Sequence, residues 1–292
     1  MKYELIHRTR YVYDGIVTVS HHLARLAPRQ LPSQRCPWHE LSISPVPVGR
    51  GVRADSFGNT TTYFEIEGSH EEMEVTASSL VEVFVVEPPV ASATPGWEAV
   101  RDACGAHGLN PSSAAGCFRY ASPMVSLEAD FLAYGRGDFP AGRPVLEGAL
   151  ALMRRIHRDF RFDPRATDVA TPVMEVYRKR AGVCQDFAHF MLACLRSVGV
   201  PARYVSGYLE TAPPEGMERL TGADASHAWV SVFCGEEAGW VDLDPTNELM
   251  PGERHVTVAW GRDFSDVSPL RGVTLGAGGQ TLQVAVDVIP LG

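Results

Sequence analysis

The sequence predicts an α+β protein in which an all-β, sandwich-like N-terminal unit precedes a unit that combines helices with an antiparallel sheet. Three observations support this fold class. The chain has 292 residues, which is more than one hydrophobic core usually serves. Residues 3–89 alternate between apolar and polar side chains at period two, whereas apolar residues recur three or four apart from residue 144 onward. Hydrophobic residues make up 45% and charged residues 21% of the chain, as in typical globular proteins.

Strands are predicted throughout the N-terminal unit. Its alternating segments are rich in β-branched and aromatic residues and are separated by Pro, Gly, Asn and Asp; they cover residues 3–15, 17–28, 40–48, 60–68 and 71–89. Residues 55–59 have the composition of a tight hairpin turn that leads into the strand at residues 60–66. Pro88 and Pro89 end the alternation, so we assign residues 1–89 to this unit.

A connector and a helix follow. Residues 90–143 are rich in Ala, Gly, Ser and Pro and only weakly periodic, which predicts a connector with one or two short helices. At residue 144 a helical period begins and continues to residue 160. Its apolar face consists of Leu146, Leu150, Met153, Ile156 and Phe160. We therefore begin the second unit here and assign it residues 144–292.

Two further helices are predicted in the second unit. Thr171 and Pro172 are typical of an N-cap followed by the first helical position, and they open a short helix that ends near residue 179. The next helix begins at or beside Cys184, and Gly199 with Pro201 supplies its end. Cys184 is thus expected at a helix N-terminus. Strands are predicted over residues 202–210, 227–233, 240–244, 254–260 and 281–289.

Charge and cysteine content exclude several classes of protein. The net charge is −9 and the chain has no basic run, which argues against nucleic acid as a ligand. No apolar stretch is long enough to span a membrane, and charges are spread through the first 15 residues, so we expect a cytoplasmic protein with no membrane contact. The six cysteines form no CxxC pair and no zinc pattern with His, so we expect neither a disulfide framework nor a metal cofactor.

Cys184, His227 and Asp244 form a candidate catalytic triad. A helix N-terminus favours the ionised form of a thiol, and a thiol nucleophile needs an imidazole that a third group orients. If Phe233 pairs with residue 238, His227 lies directly opposite Asp244 in a hairpin. Asp242 is then diagonal to His227 and is the reserve candidate. Trp240 shares that face, where it can shield the site from water.

Each of these residues also has a purely structural interpretation. A Cys that opens an apolar helix is ordinarily just buried, and a lone His on a strand is commonly structural. A metal site is the weaker alternative, because its candidate ligands lack a binding pattern; they are His21, His22 and the acids between Asp263 and Asp266. The order of the motifs is more specific than any one residue: Gly-x-Cys opening a helix, His-Ala-Trp on a strand, then Gly-Trp followed by Asp-Pro-Thr.

Three blocks of sequence resemble the transglutaminase-like superfamily. They are RAGVCQDFAHFMLACLRSVGVPARYVSGYL, SHAWVSVF and GWVDLDPTN. The segments HRTRYVYD, HLARLAPR and DSFGN resemble the N-terminal domain of bacterial members, and HVTVAWGRDFSDVSPLRG resembles their C-terminal part. The resemblance covers the chain except residues 90–143. It implies a papain-like catalytic domain with an antiparallel sheet and a Cys-bearing helix.

The resemblance also implies roles for individual residues. Cys184 would be the nucleophile, His227 the general base and acid, and Asp244, four residues after Trp240, the orienting carboxylate. The backbone N–H of Cys184 is one expected oxyanion donor, and the second donor is not identified. Trp240, Asp242 and Gln185 are candidate supporting residues, and no metal or other cofactor is implied.

The expected reaction is cysteine-dependent acyl chemistry on amide or peptide bonds. Attack by the thiolate gives a thioester acyl-enzyme, which water hydrolyses in a peptidase or amidase and an amine resolves in a transamidase. The triad does not distinguish these outcomes. The substrate is expected to be a peptide or protein; the oligomeric state stays open. The rival hypothesis is a catalytically silent module that binds a partner protein through the β-rich N-terminal unit.

Overall fold

The computed structural model describes residues 1–105, 111–211, 226–276 and 278–291. Its strands are β1 (Lys2–Ala24), β2 (Gln34–Ser44), β3 (Gly49–Ala54), β4 (Thr60–Val83), β5 (Arg161–Phe162), β6 (Ala181–Gly182), β7 (Ala202–Leu209), β8 (Ser226–Phe233), β9 (Trp240–Leu243), β10 (His255–Gly261), β11 (Leu270–Leu275) and β12 (Gln280–Leu291). Its α-helices are α1 (Trp97–Ala103), α2 (Pro111–Ala115), α3 (Ala129–Arg136), α4 (Val145–Asp159), α5 (Val173–Lys179), α6 (Cys184–Ser197) and α7 (Phe264–Val267).

The N-terminal unit is a six-stranded antiparallel sheet. Its main path is β11-β1-β4-β2, with β12 paired to β1 and β3 paired to β4. The predicted alternating segments merge pairwise into β1 and β4, because bulges between Val12 and Val19 let β1 bend without losing its partner. Residues from both halves of the bent sheet, such as Phe64, Met73 and Leu41, share one buried cluster. The prediction of an all-β unit is confirmed.

The C-terminal strands belong to this sheet and not to the second unit. β11 pairs with residues 19–24 of β1, and β12 pairs with residues 2–13. The assignment of residues 144–292 to one unit is therefore wrong at its C-terminal end, since residues 270–291 complete the N-terminal sheet. A period-two pattern predicts that a strand forms but does not specify the distant edge with which it pairs.

The connector is more helical than predicted. It contains α1, α2 and α3 together with two 3₁₀ turns, instead of one or two short helices. Phe131 of α3 is fully buried and packs edge-to-face against Phe190 of α6. Gly135 lies where α3 approaches α6, and an added Cβ there would stand 3.0 Å from the Cys194 carbonyl oxygen. The connector is thus part of the helical layer of the second unit.

The second unit is built on a four-stranded antiparallel sheet. The strand order is β10-β7-β8-β9, and α6 packs on β7 and β8. The predicted apolar stripe of α6 is buried, and Gly199 follows the helix with a φ of +92°, a conformation that glycine adopts without strain. Burial of α6 against the sheet holds its N-terminus, and therefore Cys184, at the ends of β7 and β8.

The two units contact each other along β10, an edge strand of the second sheet. The side chain of Gln34 accepts from the Thr257 N–H and donates to the Thr257 carbonyl, each at 2.8 Å. The amide of Asn59 makes a similar pair of bonds to the backbone of Trp260.

All six cysteines are free. No helix in the described part of the chain is long and apolar enough to span a membrane.

Gly207→Ala is expected to lower the free energy of unfolding by about 3 kcal/mol, the upper end of ordinary overpacking costs. A Cβ at Gly207 would lie 2.0 Å from the Val256 carbonyl oxygen and 2.6 Å from the Trp229 ring. Gly51→Ala in β3 is the matched control, because nothing lies within 4 Å of its added Cβ; its effect should stay within about 0.5 kcal/mol. Urea unfolding followed by circular dichroism measures both, and equal midpoints would contradict the packing argument.

Candidate active site

Cys184 is the first residue of α6, as predicted, and is half-buried. The turn before it is fixed by the buried carboxylate of Asp186, which accepts from the Val183 N–H at 2.8 Å and from the Thr167 hydroxyl at 2.6 Å. Gly182 packs so closely on Asp186 that an added Cβ would lie 2.4 Å from the carboxylate oxygen. The position of the thiol is therefore set by a buried hydrogen-bonded turn.

His227 connects the thiol with a buried carboxylate. It lies on β8 opposite Gly207 of β7, and only 9% of it is exposed. Its Nε2 is 2.7 Å from Oδ2 of Asp244. The Cys184 side chain also acts on this ring, since it helps to raise the pKa of His227. Because Nε2 faces Asp244, Nδ1 is the nitrogen available to the thiol. This order of contacts is the one that a Cys-His-Asp triad requires.

Asp244 follows β9 and is fully buried. Its Oδ1 accepts from the backbone N–H groups of Thr246 and Asn247 at 2.9 and 3.2 Å. Besides His227, Oδ2 contacts the Asn247 side-chain amide at 2.7 Å and Nε2 of His255 at 3.3 Å. Every oxygen of the carboxylate is thus engaged, as a buried charge requires.

Sequence reasoning did not name Asn247 or His255. The signal for Asn247 was present, since Asp-Pro-Thr-Asn is a turn in which an Asp side chain accepts N–H groups two and three residues ahead. His255 lies on β10, and nothing in its local sequence marks it as a partner of Asp244.

The predicted hairpin register is wrong by two residues. Phe233 pairs with Trp240 and not with residue 238, so His227 and Asp244 are diagonal neighbours instead of a direct pair. The loop that joins β8 to β9 is longer than expected because Gly235 and Gly239 both adopt positive φ. The Cys234 N–H closes this loop by donating to the Gly239 carbonyl at 2.8 Å. A shift of two residues keeps every side chain on its face, so the dyad still forms.

The three predicted supporting residues lie outside the triad contacts. Asp242 sits opposite Ser231 and accepts from Nε1 of Trp229 at 2.9 Å. The ring contacts of Trp240 are with Phe118, Phe233 and the Arg203 guanidinium, at the opposite end of β8 from His227, so its predicted shielding role finds no support in these contacts. The Gln185 amide donates to the Val169 carbonyl.

The electrostatics of the site favour a charged dyad. Burial lowers the pKa of His227, but the hydrogen bonds and charges of Asp244 and Cys184 outweigh it and raise the pKa to about 9. Burial raises the pKa of Asp244, yet hydrogen bonds from His227, His255 and Asn247 hold that pKa well below its usual value. At neutral pH the site therefore contains an imidazolium beside a carboxylate.

The stability that His227 adds is expected to be lost in alkaline solution. Its folded-state pKa, about 9, lies above the ordinary value of 6.5, so its contribution is complete below pH 6.5 and disappears as the pH rises through 9. The difference in unfolding free energy between wild type and His227→Gln should fall by an amount on the order of 3 kcal/mol across this window. Urea titrations from pH 5.5 to 10 measure it. In an Asp244→Asn background the pH dependence should flatten; an unchanged slope would contradict the assignment.

One group of side chains has the geometry to bind a metal ion. Among the described residues, His227, Asp244 and His255 bring three ligand atoms within 4.8 Å of one another. Both imidazole nitrogens already hydrogen-bond to Oδ2 of Asp244, which accounts for the proximity of the three atoms without an ion. The acids considered from sequence have structural contacts instead: Asp263 accepts from the N–H groups of Ser265 and Met124.

A groove of about 680 Å³ lies next to the triad, between the two units. The ends of β2 and β4 and residues 84–89 form one wall, and β8, β9 and β10 form the other. Trp229 and His255, which contact the dyad, both line it. Two neighbours of the dyad therefore line an interdomain groove, while Asp244 itself is fully buried.

Comparison with known proteins places these features in a family. The model of the bacterial transglutaminase-like N-terminal region matches residues 3–82, and that of the transglutaminase-like superfamily matches residues 140–245. An uncharacterized protein of Mycobacterium tuberculosis is 39% identical over 296 residues, covering 99% of this chain and 93% of that protein. A protein-glutamine gamma-glutamyltransferase of Pseudomonas aeruginosa is 34% identical over 106 residues, covering 35% of this chain and 16% of that protein.

The fold is also that of a solved structure. A candidate cysteine protease from Cytophaga hutchinsonii superposes with a TM-score of 0.73 at 18% identity, covering 100% of this chain and 92% of that chain. At this identity the likeness concerns the fold. It spans both units, so the joining of the β-rich sheet to the Cys-bearing helix and its sheet is a shared architecture.

Proposed function

This chain belongs to the transglutaminase-like superfamily, and we propose that it is a cysteine-dependent acyl-transfer enzyme that acts on amide bonds of a peptide or protein. One observation carries the proposal: the buried Asp244–His227 pair, joined at 2.7 Å, presents its imidazole to the thiol at the N-terminus of α6. An ionised carboxylate is costly to bury, and strongly shifted pKa values such as those of this pair are concentrated at catalytic sites.

The first half of the reaction uses groups already in place. In the reactive state the thiol proton is already on Nδ1 of the His227 imidazolium, and the Cys184 thiolate attacks the carbonyl carbon of the amide. The backbone N–H of Cys184 has no acceptor among the described residues, as expected for the first residue of a helix, and it can donate to the oxyanion. The imidazolium then returns its proton to the leaving nitrogen, the C–N bond breaks, and a thioester remains on Cys184.

The second half depends on the acceptor. His227 removes a proton from water or from an amine as it attacks the thioester, and the released thiolate is paired again with the imidazolium. Water yields a carboxylic acid, and an amine yields a new amide. Of the proteins similar to this chain, one is a glutamyltransferase and another a candidate cysteine protease. The proposal therefore centres on the step that both outcomes share, in which the amide substrate acylates Cys184.

Incubation of the full chain with a peptide library, with and without a primary amine, tests the proposal by mass spectrometry. Amine adducts mean transamidation; cleaved peptides, or glutamine converted to glutamate, mean hydrolysis. The matched control is Cys184→Ala, which should produce neither. Absence of both products with folded wild-type protein would overturn the enzyme proposal and favour the protein-binding alternative.

A further inference from the structure

We propose that His255 is a positioning residue of this site, which donates its Nε2–H to Asp244 and holds the carboxylate toward His227. The inference deepens the proposed function and rests on it. Nε2 of His255 lies 3.3 Å from Oδ2 of Asp244, and this is the oxygen to which His227 also hydrogen-bonds.

The donors around Asp244 fall into two groups. Those from Thr246 and Asn247 come from the same turn as Asp244, so they move with it. Only two described side chains reach the carboxylate from elsewhere in the chain, and they are His227 and His255. Because His227 must move its protons during the reaction, His255 is the distant anchor that does not take part in the chemistry.

His255 is itself held rigidly. It is 6% exposed, and its backbone N–H donates to the Gly252 carbonyl at 3.0 Å. The Trp229 indole packs edge-on against its ring, with centroids 5.3 Å apart, and is fixed in turn by a hydrogen bond to Asp242. A donor whose rotamer is locked by packing orients its acceptor at little entropic cost.

The protonation pattern follows from the acceptor. An ionised carboxylate only accepts hydrogen bonds, so the nitrogen of His255 that faces Asp244 must carry a proton. Donation to the ionised form is one of the interactions that keep the pKa of Asp244 low. His255 therefore orients Asp244 by a hydrogen bond, as Asp244 orients His227, and it lies one residue further from the thiol in this series of contacts.

The test compares His255→Leu, which removes the donor, with His255→Gln, whose side-chain amide reaches the position of Nε2. His157→Leu is the matched control, because His157 donates to the Thr246 carbonyl of the same turn at 3.0 Å but not to the carboxylate. The readout is the rate constant for iodoacetamide at Cys184, resolved by peptide mapping at pH 7 with a chelator present. Thermal unfolding of each variant reports on folding.

We expect His255→Leu to react about tenfold more slowly, the factor that one ordinary hydrogen bond supplies, and His255→Gln and His157→Leu to stay within about threefold of wild type. Equal rates in the Leu variant and wild type would overturn the inference, as would a Gln variant that is as slow as the Leu variant. If His255→Leu does not fold, His255→Asn replaces it, since its shorter amide cannot reach Oδ2. Failure of wild-type Cys184 to react selectively would instead reject the proposed function.

Discussion

His227→Ala is expected to lower the rate of Cys184 alkylation at pH 6 by about 100-fold, the lower end of what a positioned general base contributes. Asp244 and Cys184 raise the pKa of His227 to about 9, and in the proposed mechanism this imidazole takes the thiol proton and pairs with the thiolate. Without the imidazole, the thiol of Cys184 has no side-chain base to take its proton, and the protonated thiol is the unreactive form. The measurement is the iodoacetamide rate constant at Cys184, followed by peptide mapping of the intact chain.

Cys117 provides an internal reference for this experiment. It is the exposed cysteine of the chain, and its thiol contacts the Ala114 carbonyl instead of an imidazole. Although the residue is exposed, partial desolvation of its sulfur raises the pKa of Cys117, so it should react slowly at pH 6 and at the same rate in wild type and variant. Comparable rates at the two cysteines in wild type would contradict the ion pair and with it the enzyme proposal.

The local features of the site could be predicted from sequence because local pattern determines them. The apolar stripe of α6 and the stop at Gly199 define a helix whose first residue is Cys184. The positions of β8 and β9 follow from their apolar runs and from the glycines between them. These elements placed Cys184, His227 and Asp244 on the correct helix end and strand ends.

Features that depend on distant pairing could not be predicted in the same way. The register of β8 and β9 depends on the backbone conformation of Gly235 and Gly239, which composition does not specify. The connector was predicted to contain one or two short helices without their positions, because residues such as Gly135 weaken the helical pattern of α3. This glycine is also what allows α3 to approach the Cys194 carbonyl of α6. His255 reaches Asp244 only because β10 closes the sheet beside β7.

Asp242 and Asp244 illustrate how environment assigns different roles to neighbouring identical residues. They stand two positions apart, Asp242 within β9 and Asp244 directly after its last residue. Asp242 binds the Trp229 indole and lines the interdomain groove. Asp244 is fully buried and receives His227, His255 and two N–H groups of its own turn. The spacing from Trp240 distinguishes them in sequence, and the hydrogen bonds explain the distinction.

Asp244→Asn is therefore expected to reduce amide turnover by about 10³- to 10⁴-fold, whereas Asp242→Asn should stay within about threefold of wild type. An Asn side chain at residue 244 can keep the backbone N–H groups of Thr246 and Asn247 on its oxygen. Its amide then presents N–H to Nε2 of His227, which favours the tautomer with the proton on Nδ1 and prevents that nitrogen from accepting the thiol proton. Asn at residue 242 still accepts from Trp229. Turnover and the Cys184 alkylation rate at pH 7 measure both variants, and a larger loss in Asp242→Asn would transfer the orienting role to Asp242.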